Sequence, residues 1–349
     1  MTLNSSEDSD NSIVKQFTIP VLYGVGSGGC RIAASIVSGR GMPGGRRQRL
    51  DTLAVCVSSS ERDTRLVSRY GESIITFTIG DGTGSGMDPK RGREDYLRSP
   101  VREKILEVPR VTAEQLNWSN IDMIPVVFTA GFGCGSGAGP ELVADLVRRY
   151  PDSLVLGICT LPFNYEGPET YKRAVEAFKR AAKHAPVIAV SNQYFAELLG
   201  KELDFFKLLD HINDRIASIL HPLIRSMGSS NVVTAIDTKD LRRILKPAPA
   251  LLIQWRLESP AEMQNLSQHN SNTLARISKG LGKMSCVAVV EVGELEGHKF
   301  MQSYIDDLQR EIEAATGARL KEFKAMVTRR PDAKPTFVTT LIGDVKFYA

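Results

Sequence analysis

The sequence is poor in cysteine, and its cysteines form no pattern that would pair them or bind a metal ion. Its 349 residues include five cysteines, which are widely spaced, odd in number and without a C-x-x-C pair. This pattern argues against a disulfide framework and a thiolate zinc site, and it favours a reducing cytoplasm. No apolar run approaches the roughly 18 residues of a membrane span, and the start, MTLNSSEDSDNS, lacks the features of a secretory signal. We therefore expect a cytoplasmic protein with no membrane segment and no metal-ligating cluster.

A strong excess of one charge is also missing. Lys and Arg number 44 against 40 Asp and Glu, so the formal net charge is only +4. This balance gives no indication of a nucleic-acid partner or a membrane surface. Hydrophobic residues at 42% and charged residues at 24% are typical of globular chains, and the length fits about two domains. What the sequence does have is glycine, with 29 residues, many of them in three short loops.

Apolar runs alternate with amphipathic stretches from Phe17 onward, which is the pattern of a parallel sheet covered by helices. The predicted strands lie near 17–24, 53–57, 73–79, 122–129, 154–160 and 187–190. The predicted helices lie near 29–39, 92–106, 138–149 and 169–184. We therefore predict an α/β fold with a Rossmann-like parallel sheet.

A long helical pattern at 203–227 precedes a change in texture. Apolar residues spaced by three and four predict one buried stripe, formed by Ile212, Ile216, Ile219, Leu220, Leu223 and Met227. Pro222 lies inside this pattern and should kink the helix or end it early. Beyond it, predicted strands lie near 232–236, 251–257, 286–292 and 336–348, with helices near 238–246, 260–281 and 298–316. We predict a mobile arm at 1–12, a nucleotide-binding domain at 13–202, a connecting helix at 203–228 and a smaller α+β domain at 229–349.

Three glycine loops each follow a predicted parallel strand. The first loop is GVGSGG at 24–29, the second is GDGTGSGMDP at 80–89, and the third is GFGCGSG at 131–137. Glycine lets the backbone approach a phosphate, and a helix that follows offers free N–H groups. Because the carboxyl ends of parallel strands meet in one crevice, we predict a nucleotide pocket there.

The first loop alone also satisfies the G-x-G-x-x-G pattern of dinucleotide-binding proteins. Such a protein needs an acidic residue at the end of the second strand to hold the ribose hydroxyls. Here that strand ends in three serines at 58–60, with Glu61 one position later. An NAD-dependent oxidoreductase therefore stays open as the less favoured alternative.

The third loop resembles the G-G-G-T-G-S-G signature of tubulin and the division protein FtsZ. The second loop is similar to FtsZ over 84–93, and T-L-P-F-N-Y-E-G at 160–167 resembles its T-x-P-F-x-F-E-G segment. Asp237 and Asp240, three residues apart, resemble the paired acids that begin a later helix of the family. The resemblance spans about 17–245, and it identifies the chain as similar to the tubulin/FtsZ superfamily.

The resemblance implies that the pocket binds GTP or GDP, with Mg²⁺ held through the phosphates and water. The residues that it implies in nucleotide binding are Gly26, Ser27, Gly28, Gly29, Arg31, Gly84, Gly86, Gly131, Phe132, Gly133, Cys134, Gly135, Ser136, Gly137, Pro162, Glu166, Asn192, Phe206 and Asp210. Glu166 would accept from the ribose, and Asn192 would touch sugar or base. Phe206 would stack on the purine, and Asp210 would accept from the two adjacent donors of guanine.

The resemblance further implies that Asp237 and Asp240 are catalytic residues. They would enter the pocket of the next copy and orient a water for attack on the terminal phosphate, so the chain would be its own partner in a head-to-tail filament. Helix capping alone would also explain Asp237. Thr170 replaces an Arg of FtsZ, with Lys172 and Arg173 close by, and Ala235 replaces an Asn. A filament with negligible hydrolysis therefore stays open, and any membrane contact would need adaptors.

Overall fold

A sheet of twelve strands organises the part of the chain that the structure describes. The computed structural model describes residues 18–39, 50, 52–199, 205–227, 232–234, 236–275, 283–292, 298–329, 336–343 and 345. The predicted arm at 1–12 and Ala235 lie outside these residues. The strands run in the order β3-β2-β1-β4-β5-β6-β8-β12-β10-β11-β7, with β9 paired to β8.

The first six strands pair in parallel and confirm the predicted sheet. They are β1 (Val21–Val25), β2 (Leu53–Ser58), β3 (Ile74–Thr78), β4 (Met123–Thr129), β5 (Leu154–Leu161) and β6 (Val187–Ser191). Strand β5 is buried along its whole length and β4 along all but its last residue, because helices cover both faces of the sheet. Two apolar clusters, one on each face, form the core of this region.

The helices between these strands are α1 (Gly26–Ser38), α2 (Glu61–Ser68), α3 (Pro89–Leu97), α4 (Arg102–Gln115), α5 (Gly133–Arg149), α6 (Pro168–Ala182) and α7 (Asn192–Leu199). The predicted helix near 92–106 is two helices, because the chain turns at Ser99 and Pro100. Helices α2 and α7 were not predicted. Helices α1 and α5 begin inside the first and third glycine loops, earlier than predicted.

The connecting helix α8 (Phe205–Met227) packs against α1. Its predicted stripe is confirmed, since all six of its residues are at most 1% exposed. The helix continues through Pro222 to Met227, so the expectation that it could end early at Pro222 is not met. The stripe buries enough apolar surface to hold the helix together across the missing backbone donor of proline.

The remaining chain forms a mostly antiparallel extension of the sheet, which confirms the α+β character predicted there. Its elements are β7 (Val232–Thr234), α9 (Thr238–Ile244), β8 (Pro249–Leu257), β9 (Ser271–Thr273), β10 (Lys283–Val292), α10 (His298–Thr316), β11 (Arg319–Arg329) and β12 (Thr336–Gly343). The prediction of a helix over 260–281 is wrong. A 3₁₀ segment, Pro260–Gln268, breaks at Asn265 and is followed by β9, while 276–282 lie outside the described residues.

Strand β6 pairs with β8 in parallel through Val187–Pro249 and Ile188–Ala250. The sheet is therefore continuous between the two predicted domains, whose boundaries stay a prediction. All five cysteines are free. No helix in the described ranges combines the length and the apolar character needed to cross a bilayer.

Candidate functional site

The three glycine loops meet at the carboxyl edge of the parallel strands and enclose a cavity of about 330 Å³. A Cβ atom built on Gly26 would lie 3.1 Å from the backbone nitrogen of Gly135, so the first and third loops touch. A Cβ atom on Gly133 would lie 2.6 Å from Cβ of Ser85, so the second and third loops touch as well. Glycine is therefore needed because the backbones pack against each other. The cavity volume suits a small ligand.

Most of the predicted binding residues line this cavity. They are Gly26, Ser27, Gly28, Gly84, Gly86, Phe132, Gly133, Cys134, Gly135, Glu166 and Asn192. Residues that the sequence did not predict there include Ser59, Asp63 and Leu209. The serines at 58–60 follow β2 at the same edge as the loops, and this position was the signal that could have identified them.

Other predicted residues lie behind the cavity wall. Ser136 is 1% exposed, and its hydroxyl oxygen accepts from the N–H of Gly131 at 2.6 Å. A Cβ atom on Gly137 would lie 2.4 Å from the nitrogen of Arg93, and one on Gly29 would lie 2.6 Å from the carbonyl oxygen of Val127. These residues shape the third and first loops by close packing. Their direct contact with a nucleotide stays a prediction.

Arg31, Pro162, Phe206 and Asp210 are also not among the residues that line the cavity. Asp210 is exposed on α8, one position after the cavity-lining Leu209. Pro162 is buried beneath the turn that carries Glu166, and Arg31 is half-buried on α1. The side chain of Phe206 lies outside the described part of the structure. The roles assigned to these residues stay predictions.

Two helix N-termini face the cavity. Helix α1 begins at Gly26 and α5 begins at Gly133, and neither N-cap residue, Val25 or Phe132, caps its helix with a side chain. The first N–H groups of a helix have no partner within the helix, and the helix dipole makes this end positive. The hydroxyl of Thr129 is buried and has no hydrogen-bond partner among the described residues. A Cβ atom on Gly28 would lie 2.5 Å from its Oγ1. The arrangement suits an anion with several oxygens.

The ionisable side chains of the cavity wall are acidic or neutral. Asp63 and Glu166 are the carboxylates of the described lining, which contains no Lys, Arg or His. Burial raises the pKa of Glu166, although its Oε2 accepts from the N–H of Phe163 at 2.7 Å. Burial also raises the pKa of Cys134 to about 11, so its thiol stays protonated at neutral pH. Positive potential in this wall therefore comes from the backbone.

The turn that carries Glu166 is tied to α7. The N–H of Asn164 donates to Oε1 of Gln193 at 3.1 Å, and Asn192 begins α7 directly at the end of β6. The hydroxyl of Ser191 accepts from the N–H of Tyr194 at 3.1 Å and so caps this helix. These contacts place Glu166 and Asn192 together on one side of the cavity.

Arg173 connects α6 with the second loop. Its Nη1 donates to the carbonyl oxygen of Met87 at 3.1 Å, and its Nη2 donates to the hydroxyl of Thr170 at 3.2 Å. Met87 has a φ of 64°, which is uncommon for a residue with a side chain. Thr170 in turn lies against Gly131, where a Cβ would be 2.8 Å from its Cγ2. Arg173 thus joins the second and third loops. Lys172 is exposed on the outer face of α6, in a wider concavity of about 590 Å³ without a glycine loop.

Asp237 and Asp240 lie at the opposite edge of the sheet. Thr238 donates to Asp122, the residue before β4, whereas Thr129 at the other end of β4 lines the cavity. Seven steps along a strand span roughly 23 Å. Within one molecule these acids therefore do not reach the glycine loops.

Both carboxylates have partners within the chain. Oδ1 of Asp237 accepts from the N–H of Asp240 at 2.7 Å, which caps α9. Asp240 forms ion pairs with Arg243 at 3.0 Å and with Lys324 at 3.5 Å. Asp237 is exposed and lines a concavity of about 540 Å³.

Curated relatives and solved structures agree on the fold. No family model matches the chain. The chain is 28% identical to cell division protein FtsZ 1 of Pyrococcus horikoshii over 256 residues, covering 72% of this chain and 62% of that protein. It is 28% identical to the tubulin-like protein CetZ of Thermococcus kodakarensis over 224 residues, covering 62% and 56%. The matched part is thus about three fifths of the length of these relatives.

The solved structures are similar over almost the whole chain. The GTPγS-bound protofilament of CetZ2 from Haloferax volcanii has a TM-score of 0.69 and 20% identity, and covers 94% of each chain. The empty FtsZ dimer of M. jannaschii has a TM-score of 0.66 and 17% identity, and covers 93% of this chain and 87% of that one. The chain therefore has the fold of these FtsZ and CetZ structures, and its sequence is similar to those of FtsZ and CetZ proteins.

Proposed function

We propose that the chain binds GTP in the glycine-loop cavity and polymerises head to tail. Hydrolysis of GTP is completed where Asp237 and Asp240 of one copy meet the cavity of the next. The proposal is supported by relatives that carry the names of division and tubulin-like proteins, and by solved structures described as GTPγS-bound protofilament and GDP-bound monomer.

The proposal depends on the positions of the two sites at opposite ends of β4. The cavity lies at the carboxyl end of β4, and the acids lie beyond its amino end. A reaction that needs both sites therefore needs two molecules. Contact between unlike faces leaves one free face of each kind at the two ends, so its repetition gives a filament unless the rotation between copies closes a ring.

The cavity supports phosphate binding through the backbone. The N-termini of α1 and α5 would hold the phosphate oxygens, and the hydroxyl of Thr129 would donate to one of them. Glu166 would accept from the ribose hydroxyls, with Asn192 beside it. Phe206 and Asp210 remain the proposed contacts to guanine, and their helix α8 reaches the cavity at Leu209.

Magnesium fits the same cavity. When bound, Mg²⁺ would supply positive charge that neutralises the charge developing on the phosphates. Asp63 lies in the wall next to the serines at 58–60 and is suited to hold the ion directly or through water. No group of three metal-ligating side chains occurs among the described residues.

A filament that hydrolyses GTP very slowly is the second candidate. Asp240 is paired with two cations of its own molecule, and these contacts hold its carboxylate away from a second molecule's cavity. Thr170 replaces an arginine, and the Nη1 and Nη2 groups of the nearby Arg173 already donate to Met87 and Thr170. The strand order β3-β2-β1-β4-β5-β6 is shared with dinucleotide-binding folds. Serines follow β2 where an NAD site needs an acid, so the oxidoreductase alternative has less support.

Substitution of Asp237 separates catalysis from helix capping. Asparagine caps a helix as well as aspartate does, but it cannot accept a proton from water. We expect Asp237→Asn to keep its stability and its GTP affinity while phosphate release from polymer falls by about a hundredfold or more. Asp240→Asn tests the second carboxylate in the same assay. The matched control is Asp152→Asn, whose exposed carboxylate lies in the same concavity.

Phosphate release measured over a range of protein concentrations tests the need for assembly. We expect turnover per molecule to rise steeply above the concentration at which polymer forms, as judged by sedimentation. A constant turnover per molecule at every dilution would contradict hydrolysis between copies. Unchanged turnover in Asp237→Asn would leave that residue as a helix cap.

A further inference from the structure

The described side chains that line the cavity carry no positive charge. A nucleoside triphosphate brings several negative charges to a wall whose described ionisable side chains include two carboxylates, Asp63 and Glu166, and no cation. The helix N-termini contribute about half a unit of positive charge each. Arg173 lies near the second loop, where its Nη1 and Nη2 donate to the neutral carbonyl of Met87 and the hydroxyl of Thr170, so it adds one positive charge outside the lining. Mg²⁺ or a cation of a second molecule would add to this positive charge.

Helix α9 forms a ridge on the opposite face. It lies between the concavity of about 540 Å³ and another of about 350 Å³, and its residues Lys239 and Arg242 line both. Asp237 stands at the start of this ridge. The ridge has seven residues and is about 10 Å long. It is the part of this face that would enter a cavity on another copy.

The cations on and around this ridge differ in their partners. Arg242 lies 3.8 Å from Asp152, and Arg243 and Lys324 pair with Asp240. Lys239 is exposed, and no carboxylate of the described residues lies within 4.0 Å of its ammonium group. Its charge is therefore available to a second molecule.

We infer that Lys239 of one copy contacts the phosphates of the nucleotide held by the next copy. The inference rests on the proposed head-to-tail function, because Lys239 lies between Asp237 and Asp240 and arrives at the junction with them. An ammonium group at this point adds positive charge beside phosphates that no described lining side chain contacts with a cation. Its attraction is stronger for a triphosphate than for a diphosphate, so the contact favours assembly of GTP-bound copies.

The variant Lys239→Gln tests this contact, with Lys104→Gln on α4 as a control that removes the same charge elsewhere. We expect GTP affinity in dilute protein to be unchanged in both variants. In Lys239→Gln, the protein concentration needed for assembly should rise by about tenfold or more, and its dependence on salt should weaken. Lys239→Arg should restore assembly in GTP. Lys104→Gln should behave as the natural chain does.

A mixture of two variants tests whether Lys239 acts between copies. Ser27→Asp places a carboxylate in the cavity and leaves the ridge intact, whereas Lys239→Gln leaves the cavity intact. One pairing in the mixture joins an intact cavity to an intact Lys239. Phosphate release by the mixture should therefore exceed the sum of the two variants measured separately.

The outcomes separate this inference from the proposed function. If the natural chain assembles with GTP and Lys239→Gln assembles equally well, the contact is overturned and the filament proposal stands. A natural chain that neither binds GTP nor assembles would overturn both. A mixture that only equals the sum of its parts would overturn the action of Lys239 between copies.

Discussion

Ser27 offers a direct test of phosphate binding at the start of α1. Its side chain is exposed in the first turn of the helix and lines the cavity, and no acidic residue occupies that turn. Aspartate there should favour the folded protein by about 0.5 kcal/mol, because it complements the helix dipole. The same carboxylate would repel the phosphates. The variant Ser27→Asp thus separates ligand binding from folding.

The expected loss of binding follows from charge. Two unit charges about 5 Å apart repel by about 3 kcal/mol at an effective dielectric constant of about 20. A single such pair weakens binding by about a hundredfold or more. The matched variant Ser27→Asn has nearly the same shape without the charge, so we expect it to lose much less affinity.

A fluorescent GTP analogue titrated into dilute protein measures the affinity, and urea denaturation measures the free energy of unfolding. Ser27→Asp should bind weakly and unfold at an equal or slightly higher urea concentration. Equal affinity in Ser27→Asp and the natural chain would show that phosphates do not lie at this helix end. An equal loss in Ser27→Asn would assign the effect to size rather than charge.

Two further predictions concern stability in the nucleotide-free protein. Burial raises the pKa of Glu166 above its ordinary value of 4.5, so the folded chain binds this proton more tightly than the unfolded chain and loses stability as the pH rises through the raised pKa. Glu166→Gln should therefore unfold at a higher urea midpoint than the natural chain at pH 7. This difference in midpoint should diminish toward about pH 4. A difference that grew on acidification would contradict a raised pKa of Glu166. Asp145 is 4% exposed and bonds to Tyr96 and Arg102, so Asp145→Ala should lower the free energy of unfolding by about 3 kcal/mol, against about 0.5 kcal/mol or less for the exposed Asp152→Ala.

The parallel sheet could be predicted because its signals are local. Strands β4 and β5 are continuous apolar runs, and each glycine loop marks the end of a strand. Helix α2 was missed because its exposed face is polar, although Ser60 caps it through the N–H of Asp63 at 3.3 Å. Helix α7 follows β6 without a linker, so nothing in the apolar pattern separates them.

The errors in the second half have physical causes too. Strand β11 was not predicted. It contains a register shift opposite Met284 and Ser285, which interrupts the alternation of buried and exposed residues. The predicted helix after Pro260 breaks at Asn265, in a stretch rich in Ser, Asn and Gln, whose side chains compete for backbone groups.

The parts of the candidate site formed by glycine loops could be predicted from the sequence. The parts formed by contacts between distant segments could not. The cavity lining by Gly26, Gly84 and Gly133 follows from the loops themselves. The pairing of Asp240 with Lys324 joins α9 to β11, and no local pattern contains it. The same holds for Arg173 and Met87, which come together only through the packing of α6 against the second loop.

Because the cavity and α9 lie at opposite ends of β4, a polymer of the proposed kind has two unlike tips. One tip displays open cavities and the other displays ridges. A molecule with an intact ridge but a blocked cavity can bind at the tip that displays open cavities. It then presents its own blocked cavity, so no further molecule can add at that tip. Small amounts of such a molecule would cap growth in one direction and leave the opposite tip free to extend.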